Sequence, residues 1–227
     1  MERKLTCCAL GILCMSLFYL TACEETDNDP TTVTDIDGNV YKTVTIGSQV
    51  WMAENLKTTK FRNGDPIPLI TDAAAWASST TGAYCNYDND EANAEVYGRL
   101  YDWKSANDPR GICPEGWHIP TDAEWGTLIA FLGGDAVAGG KLKEKGTVHW
   151  NSPNNQASDT VGFTALPAGE RRATGQYIYL KQYGCWWSST ETDDLNAWIR
   201  YISNSTYYVT RQIYSKKYAY SVRCIKD

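Results

Sequence analysis

Hydrophobic and polar positions alternate near both ends of the chain. Residues 40–52 alternate around Gly47-Ser48, and a short turn between two alternating runs predicts a β-hairpin. The segment 218–224 alternates most clearly, with Tyr, Tyr, Val and Cys at every second position, and it predicts a half-buried strand. Further strands are predicted in the C-terminal third at 177–179, 185–189, 197–202 and 207–213.

The middle of the chain has the apolar spacing of helices. Thr121 followed by Glu124 forms a capping box, and an apolar stripe extends the predicted helix to residue 132. Weaker patterns predict helices over 95–106 and 135–145. Helices in the middle and strands at both ends predict an α+β fold, in which the two ends of the chain meet in one sheet.

The composition supports one folded domain, which we place at residues 35–227. Of the 227 residues, 43% are hydrophobic and 21% are charged, which excludes a disordered polar chain. The nine Trp and 15 Tyr stand out, because large aromatic side chains with a polar tip serve both cores and binding surfaces.

Residues 1–22 have the pattern of a bacterial leader. Arg3 and Lys4 precede an apolar run that is too short for a stable spanning helix, and small residues then precede Cys23. This segment resembles the lipobox of bacterial lipoproteins, which implies cleavage before Cys23 and a lipid anchor of several acyl chains on Cys23. An ordinary secretory signal next to a chance cysteine is the alternative.

Residues 23–34 are acidic and polar, and they predict a flexible tether. Acidic residues directly after a lipidated cysteine resemble the surface-export signal of Bacteroidetes lipoproteins. That resemblance implies an outer-membrane anchor with the domain outside the cell; plain solvation of a linker, with the domain in the periplasm, is the alternative. The membrane, through the lipid, is therefore an expected partner. The formal net charge of −6 argues against nucleic acid as a partner.

Four cysteines remain outside the leader and the lipidation site: Cys85, Cys113, Cys185 and Cys224. Export places them in an oxidising compartment, so disulfides are expected, and four cysteines allow three pairings. We favour Cys113–Cys224, which would tie the middle of the chain to its last strand and stabilise the fold by roughly 4 kcal/mol in the chain-entropy model. Cys85–Cys185 is the accompanying pair. Without a CxxC pair, a zinc site is not expected.

An ordered series of motifs covers nearly the whole domain. The motifs are WMAENL at 51–56, YGRLYDW at 97–103, CPEGWHIPTDAEW at 113–125, GF at 162–163, LPAG at 166–169, WWSSTE at 186–191 and SVRC at 221–224. The series resembles the Fibrobacter succinogenes major paralogous domain over about residues 37–227. Cys113 and Cys224 lie in motifs that recur in that family, and Cys185 does not.

The resemblance implies an exported lipoprotein or adhesin-like protein, in a family without an established enzymatic activity. The motifs also resemble, more weakly, the C-type lectin-like fold of formylglycine-generating enzymes. That resemblance implies an antiparallel sheet with two or three helices and long loops. A fold of this kind does not by itself assign a function.

Trp186 and Trp187, with Ser188 and Glu191 after them, are the predicted ligand site. Adjacent side chains on a strand point to opposite faces, so one indole would be buried and the other could stack on the apolar face of a sugar. Ser188 or Glu191 would then bond the sugar hydroxyls. Burial of both rings in the core is the alternative.

We therefore expect a non-enzymatic protein that binds a glycan or another extracellular polymer. The second hypothesis is a structural or accessory subunit of a surface assembly, with an envelope protein as its partner. An enzyme of unknown class is the least favoured. No Gly-x-Ser-x-Gly elbow or phosphate-binding loop is present, and no catalytic residue or cofactor is assigned.

Three other segments carry chemistry that a structural role explains. His118 precedes the predicted helix at 121–132 and is expected to be a hydrogen-bonding residue there, because a catalytic His needs a nucleophile and an orienting acid. Asp88-Asn89-Asp90-Glu91 supplies oxygen ligands of the kind that Ca²⁺ takes, but it lacks the EF-hand spacing and predicts a solvated loop. Glu170-Arg171-Arg172 predicts an exposed turn.

Overall fold

The computed structural model describes residues 32–227. The predicted leader, the lipidation site Cys23 and most of the predicted tether lie outside these residues. The last residues of the predicted tether are not a linker: Thr32–Thr34 form strand β1, which pairs with the next strand. Within residues 32–227, no helix is long and apolar enough to cross a membrane.

Short strands alternate with short helices along the chain. The strands are β1 (Thr32–Thr34), β2 (Val40–Ile46), β3 (Gln49–Met52), β4 (Tyr84–Cys85), β5 (Leu100–Asp102), β6 (Trp117–His118), β7 (Glu170–Arg171), β8 (Tyr177–Ile178), β9 (Tyr183–Glu191), β10 (Asn196–Ser203), β11 (Thr210–Ser215), β12 (Ala219–Tyr220) and β13 (Ile225–Lys226). The helices are α1 (Ala73–Ser78), α2 (Glu91–Tyr97), α3 (Trp103–Ala106), α4 (Asp122–Phe131) and α5 (Asp135–Leu142).

The strands form three antiparallel sheets. Their orders are β1-β2-β3-β13-β6, β11-β10-β9 and β4-β5-β12-β7-β8. Strand β13, almost at the C-terminus, lies between β3 and β6, with Ile225 opposite both Trp51 and His118. The predicted meeting of the two chain ends in one sheet is thus confirmed, and residues 32–227 form a single α+β domain.

The predicted hairpin and two of the predicted helices are present. Strands β2 and β3 form the hairpin around Gly47, which has the positive φ that such a tight turn needs. In α4, Thr121 accepts a hydrogen bond from the Glu124 N–H while the Glu124 carboxylate accepts one from the Thr121 N–H, so the capping box is confirmed. Helix α5 matches the predicted third helix.

The helix predicted over 95–106 is wrong. Gly98, at φ +79°, ends α2, and β5 follows before the single turn of α3 begins at Asp102. A side chain at Gly98 would also collide with Asn55, because a Cβ there would lie 2.6 Å from the Asn55 Cβ. The apolar spacing of this segment therefore comes from three elements: the end of α2, strand β5 and helix α3.

The strand predicted over 218–224 is also interrupted. Only Ala219–Tyr220 and Ile225–Lys226 are in strands, and every residue from Ala219 to Ile225 is buried. The chain here crosses between sheets: the Leu56 N–H donates to the Val222 carbonyl, and the Trp187 N–H donates to the Ser221 carbonyl. Both faces of the segment are buried, so the alternation of hydrophobic and polar residues at 218–224 does not indicate that one face is exposed to solvent.

The Cys113–Cys224 disulfide is present, as predicted, and joins positions 111 residues apart. It fixes the loop before β6 to the segment before β13, at the centre of the largest hydrophobic cluster. Two further clusters lie around Trp125 and around Trp76.

Three fully buried cations organise the long loops. Lys143, Arg171 and Arg223 are each 0% exposed, and none forms an ion pair with another described residue. Each donates instead to backbone carbonyls of irregular segments, which satisfies oxygens that no sheet or helix would bond. Burial lowers the pKa of Lys143 to about 8 and that of Arg223 to about 9.

Candidate functional site

Trp186 and Trp187 are both core residues, so the prediction that one of them is exposed is wrong. Their exposed fractions are 1% and 0%. Strand β9 has a hydrophobic cluster on each of its faces: Trp186 packs with Trp125 and Phe163, and Trp187 lies edge-on to Tyr220 with ring centroids 4.8 Å apart. Because adjacent side chains on β9 point to opposite faces of the sheet, the two rings lie in two different hydrophobic clusters.

The polar tips of both indoles are also occupied inside the protein. Trp186 donates to the Asn55 amide oxygen and Trp187 donates to the Tyr101 carbonyl, each over 2.8 Å. Neither N–H is left for a ligand. Ser188 is fully buried as well, and its hydroxyl accepts from the Thr190 N–H.

Glu191 is the one exposed member of the predicted ligand site. Its carboxylate pairs with Lys216 over 2.6 Å, and the Lys216 ammonium in turn lies 4.3 Å from the centroid of the Trp103 ring. Of the nine Trp, the one that is not buried is Trp198, and the Arg211 guanidinium covers it at 3.3 Å from the ring centroid. The structure therefore brings no pair of exposed Trp together.

Cys85 and Cys185 are free thiols, so the predicted second disulfide is wrong. Cys85, on β4, is buried in the cluster around Trp76, whereas Cys185, on β9, is buried in the largest cluster. The two cysteines belong to different sheets and different cores. Burial raises the pKa of Cys85 to about 11 and that of Cys185 well above its ordinary range, so both are protonated at neutral pH.

The imidazole ring of His118 lies within hydrogen-bond distance of two carboxylates. Its Nδ1 lies 2.6 Å from Asp227 Oδ1 and its Nε2 lies 2.9 Å from Glu124 Oε1, which links β6, the start of α4 and the C-terminus. The two carboxylates raise the pKa of His118 although burial lowers it. Both ring nitrogens are occupied, which fits the hydrogen-bonding role expected from the sequence.

The acidic run at 88–91 is used within the fold. Asp90 caps α2, Glu91 pairs with Arg99 over 2.6 Å, and Asn89 accepts from the Tyr177 hydroxyl. Across residues 32–227, no group of three or more His, Cys, Asp or Glu side chains is placed to hold a metal ion.

A larger, open cavity is lined in part by side chains that already have partners. It measures about 620 Å³ and lies beside β1, near Arg62 and Arg110. Arg110 pairs with Asp65 and Asp108, each over 2.9 Å, and stacks on Phe61. No buried, unpartnered polar group points into this cavity.

A smaller cavity, which we call the tyrosine cavity, has a different character. It measures about 130 Å³ and lies on the face of the β9–β11 sheet that carries Cys185. It is lined by Glu170, Tyr179, Tyr183, Cys185, Ile199, Tyr201 and Tyr214. Cys185 and Ile199 are buried beneath it, and the four tyrosines are partly exposed around it.

The aromatic rings of the tyrosine cavity are close enough to act together. The ring centroids of Tyr179 and Tyr183 lie 4.7 Å apart, and those of Tyr183 and Tyr201 lie 5.7 Å apart. Tyr179 sits at φ +69°, a left-handed conformation that is costly for a bulky residue, and its carbonyl accepts from the Tyr183 N–H. The Tyr179 ring lies at the exposed edge of the cavity.

Most polar groups of the cavity make no hydrogen bond of standard geometry within residues 32–227. The hydroxyls of its four tyrosines make no hydrogen bond to another described residue. Glu170 is 6% exposed, and its ion-pair partner, Arg172, places Nε 3.7 Å from Oε1, beyond hydrogen-bond distance. The buried hydroxyl of Tyr220 has no hydrogen-bond partner of standard geometry. Burial raises the pKa of Glu170, although Arg172 and the Tyr220 hydroxyl lower it.

A comparison with protein-family models finds one match. The model of the Fibrobacter succinogenes major domain matches residues 44–226. The chain belongs to this family. Neither a curated protein nor a solved structure matches the chain.

The motifs that signalled the Fibrobacter succinogenes major domain serve mostly to build it. Asn55, in the first motif, accepts hydrogen bonds from Trp186 and Arg223, which lie in two later motifs. The disulfide joins two others, at Cys113 and Cys224. The tyrosines of the cavity lie outside these motifs. Tyr183, Tyr201 and Tyr214 are on β9, β10 and β11, whereas Tyr179 lies between β8 and β9.

Neither Glu170 nor the tyrosines of the cavity were predicted from the sequence as site residues. Glu170 and Arg171 were expected in an exposed turn, but they form β7 and are 6% and 0% exposed. A signal was available at Tyr183 and Cys185, which stand two residues apart on β9 and so share a face. Tyr201 pairs directly with Cys185, but this register could not be read from the sequence.

Proposed function

We propose that the chain is a lipid-anchored protein of the cell envelope whose domain binds an extracellular polymer, with a glycan as the ligand, at the tyrosine cavity. The observation that carries the proposal is the cavity itself: four partly exposed tyrosines line it beside the buried Glu170 carboxyl group, which makes no hydrogen bond of standard geometry to a described residue. Buried polar groups are normally satisfied, so one that borders a cavity points to a ligand.

The chemistry of the cavity suits a sugar. Aromatic faces can pack on the apolar face of a sugar ring, and the free tyrosine hydroxyls and the Glu170 carboxylate can bond its hydroxyls. The volume of about 130 Å³ is smaller than the roughly 300–1,000 Å³ of pockets that enclose a whole small molecule. The cavity therefore takes one unit or substituent, while the rest of the polymer runs across the surface.

A glycan array with the full chain, purified in detergent, tests this function. We expect binding to at least one plant, mucin or microbial polysaccharide, and a loss of at least about tenfold in affinity in Tyr201→Leu. Tyr208→Leu is the matched control, because Tyr208 is 45% exposed and lies outside the cavity. Absence of binding across the array, or equal affinity of Tyr201→Leu and the wild type, would contradict the proposal.

The anchor and location are separate parts of the proposal. They rest on the lipobox-like segment before Cys23 and on the acidic residues after it. Labelling of growing cells with a radioactive fatty acid should mark the wild type and not Cys23→Ala. Protease added to whole cells should degrade a surface-exposed domain, and resistance until lysis would place it in the periplasm.

We also propose that the domain has a C-type lectin-like arrangement. In its support, β13 lies beside β3, so the two chain ends share a sheet, and a long segment without helix or strand separates α5 from β7. An experimental structure in which these ends lie apart would contradict the assignment.

A structural subunit of a surface assembly is the second candidate. Strand β11 is an edge strand of its sheet, and Arg211 on it covers the partly exposed Trp198. An edge strand can pair with another chain. Crosslinking on intact cells should then trap a complex, and recovery of free monomer alone would argue against this candidate.

A further inference from the structure

The tyrosine cavity combines aromatic faces with one buried negative charge. Glu170 carries that charge, and its side chain is 8% exposed. Arg172 compensates it only in part, because its Nε lies 3.7 Å away and its side chain is 41% exposed. A buried carboxylate without a hydrogen-bonded cation is costly, so the site gains from a ligand that brings positive charge.

The rings around the carboxylate favour the same kind of ligand. The face of a tyrosine ring carries negative electrostatic potential and attracts a cation within about 6 Å of the ring centroid. Tyr183 lies between Tyr179 and Tyr201, at 4.7 Å and 5.7 Å between ring centroids, so a group in the cavity can contact several rings at once. Aromatic cages of this composition recognise alkylated ammonium groups.

We propose that the tyrosine cavity binds an ammonium group carried by the polymer. The group is either the free amine of an amino sugar or the quaternary ammonium of a choline-type substituent, and the shared chemistry is a compact organic cation. This inference rests on the proposed function and specifies which part of the polymer enters the cavity. The volume of about 130 Å³ suits such a substituent better than a whole sugar ring with its neighbours.

The proposal includes a pH dependence, because the cation needs an ionised Glu170. Burial raises the pKa of that carboxyl, so affinity should fall as the pH drops through the carboxyl's titration range. Burial raises the pKa of the Cys185 thiol and of the neighbouring tyrosines, so these groups stay uncharged in the pH range where Glu170 titrates. The tyrosines are Tyr183, Tyr214, Tyr220 and Tyr87, the last of which lies near Glu170.

Calorimetry on the full chain in detergent provides the test. The probes are choline, glucosamine and the uncharged isostere of choline in which a tert-butyl group replaces the trimethylammonium group. We expect at least one of the two cations to bind at least about tenfold more tightly than the isostere. Comparison of choline with glucosamine then tells which source of the cation the cavity prefers.

Two variants assign the binding to the cavity. Glu170→Gln should reduce affinity for the cation at least about tenfold, and Tyr179→Leu, at the exposed edge, should weaken it without unfolding the domain. Glu95→Gln, whose side chain is 69% exposed, is the matched control and should bind as the wild type does. Far-UV circular dichroism should match the wild type in all three variants.

Several results would overturn the inference. Affinity of both cations no higher than that of the isostere, unchanged affinity in Glu170→Gln, or no binding of either cation would each do so. If the glycan array finds a neutral polysaccharide whose binding depends on Tyr201, and neither cation binds, the inference fails while the proposed function stands. If cations bind and no polysaccharide does, the polymer part of the proposed function fails instead.

Discussion

Truncation of Trp187 tests whether the paired Trp form the core or a ligand surface. The ring is 0% exposed, lies edge-on to Tyr220, and donates its N–H to the Tyr101 carbonyl over 2.8 Å. Trp187→Ala removes the buried ring, at a cost of about 3–5 kcal/mol. It also removes the indole donor to the Tyr101 carbonyl, which adds about 1–3 kcal/mol. The total approaches the whole stability of a typical domain, which is about 5–15 kcal/mol.

A milder variant keeps the measurement within range. Trp187→Phe retains an aromatic ring and loses the N–H, so the Tyr101 carbonyl loses its donor and the free energy of unfolding should fall by about 1–3 kcal/mol. Trp198→Ala is the control. Trp198 is partly exposed and contacts Arg211, so its loss should cost about 0.5–1 kcal/mol.

Urea unfolding followed by far-UV circular dichroism gives these free energies without relying on Trp fluorescence. The expected order of destabilisation is Trp187→Ala, then Trp187→Phe, then Trp198→Ala. The reasoning would be refuted if Trp187→Ala unfolded at the urea concentration of the wild type. A loss of polysaccharide binding by that stable variant would restore the sugar-platform interpretation.

Three further predictions concern the groups that hold the fold together. Reduction of Cys113–Cys224 should lower the free energy of unfolding by roughly 4–5 kcal/mol for a closed loop of this length, and an equal effect of reductant on a Cys113→Ala/Cys224→Ala variant would contradict it. The pKa of His118 is higher in the folded protein than its ordinary value of 6.5. Its ion pairs therefore stabilise the fold fully below pH 6.5, and this stabilisation is lost as the pH rises through the pKa of His118 in the folded state. The difference in unfolding free energy between wild type and His118→Gln, measured against pH, should show that loss, and a flat difference would refute it. For Lys143 the sign is opposite: its folded pKa of about 8 lies below the unfolded one, so wild type should gain stability relative to Lys143→Met as pH rises above 8, and a falling difference would exclude this.

The sequence predicted local structure well where local chemistry decides it. The capping box at Thr121 and Glu124, the turn at Gly47 and the α+β class follow from neighbours in the chain. The helix over 95–106 failed because Gly98 packs against Asn55, a contact between segments far apart in sequence.

The candidate site depended on contacts that no local pattern contains. Trp186 and Trp187 were expected to have one buried and one open side, but β9 is covered on both faces by segments from the rest of the chain. Glu170 resembled part of an exposed turn because its neighbours are charged. Its burial results from the pairing of β7 with β8 and β12. The sheet register brings Tyr183, Tyr201 and Tyr214 to one face, and the chain between β8 and β9 adds Tyr179.

The central claim is that the tyrosine cavity is a binding site, and carbon-13 labelling of tyrosine rings tests it most directly. The full chain in detergent would be titrated with the polysaccharide that the array selects, and ring signals would be followed by NMR. The account predicts shifts concentrated at Tyr179, Tyr183, Tyr201 and Tyr214, with Tyr208 unchanged. Shifts at Tyr208 or elsewhere on the surface, with the four cavity tyrosines unmoved, would contradict it.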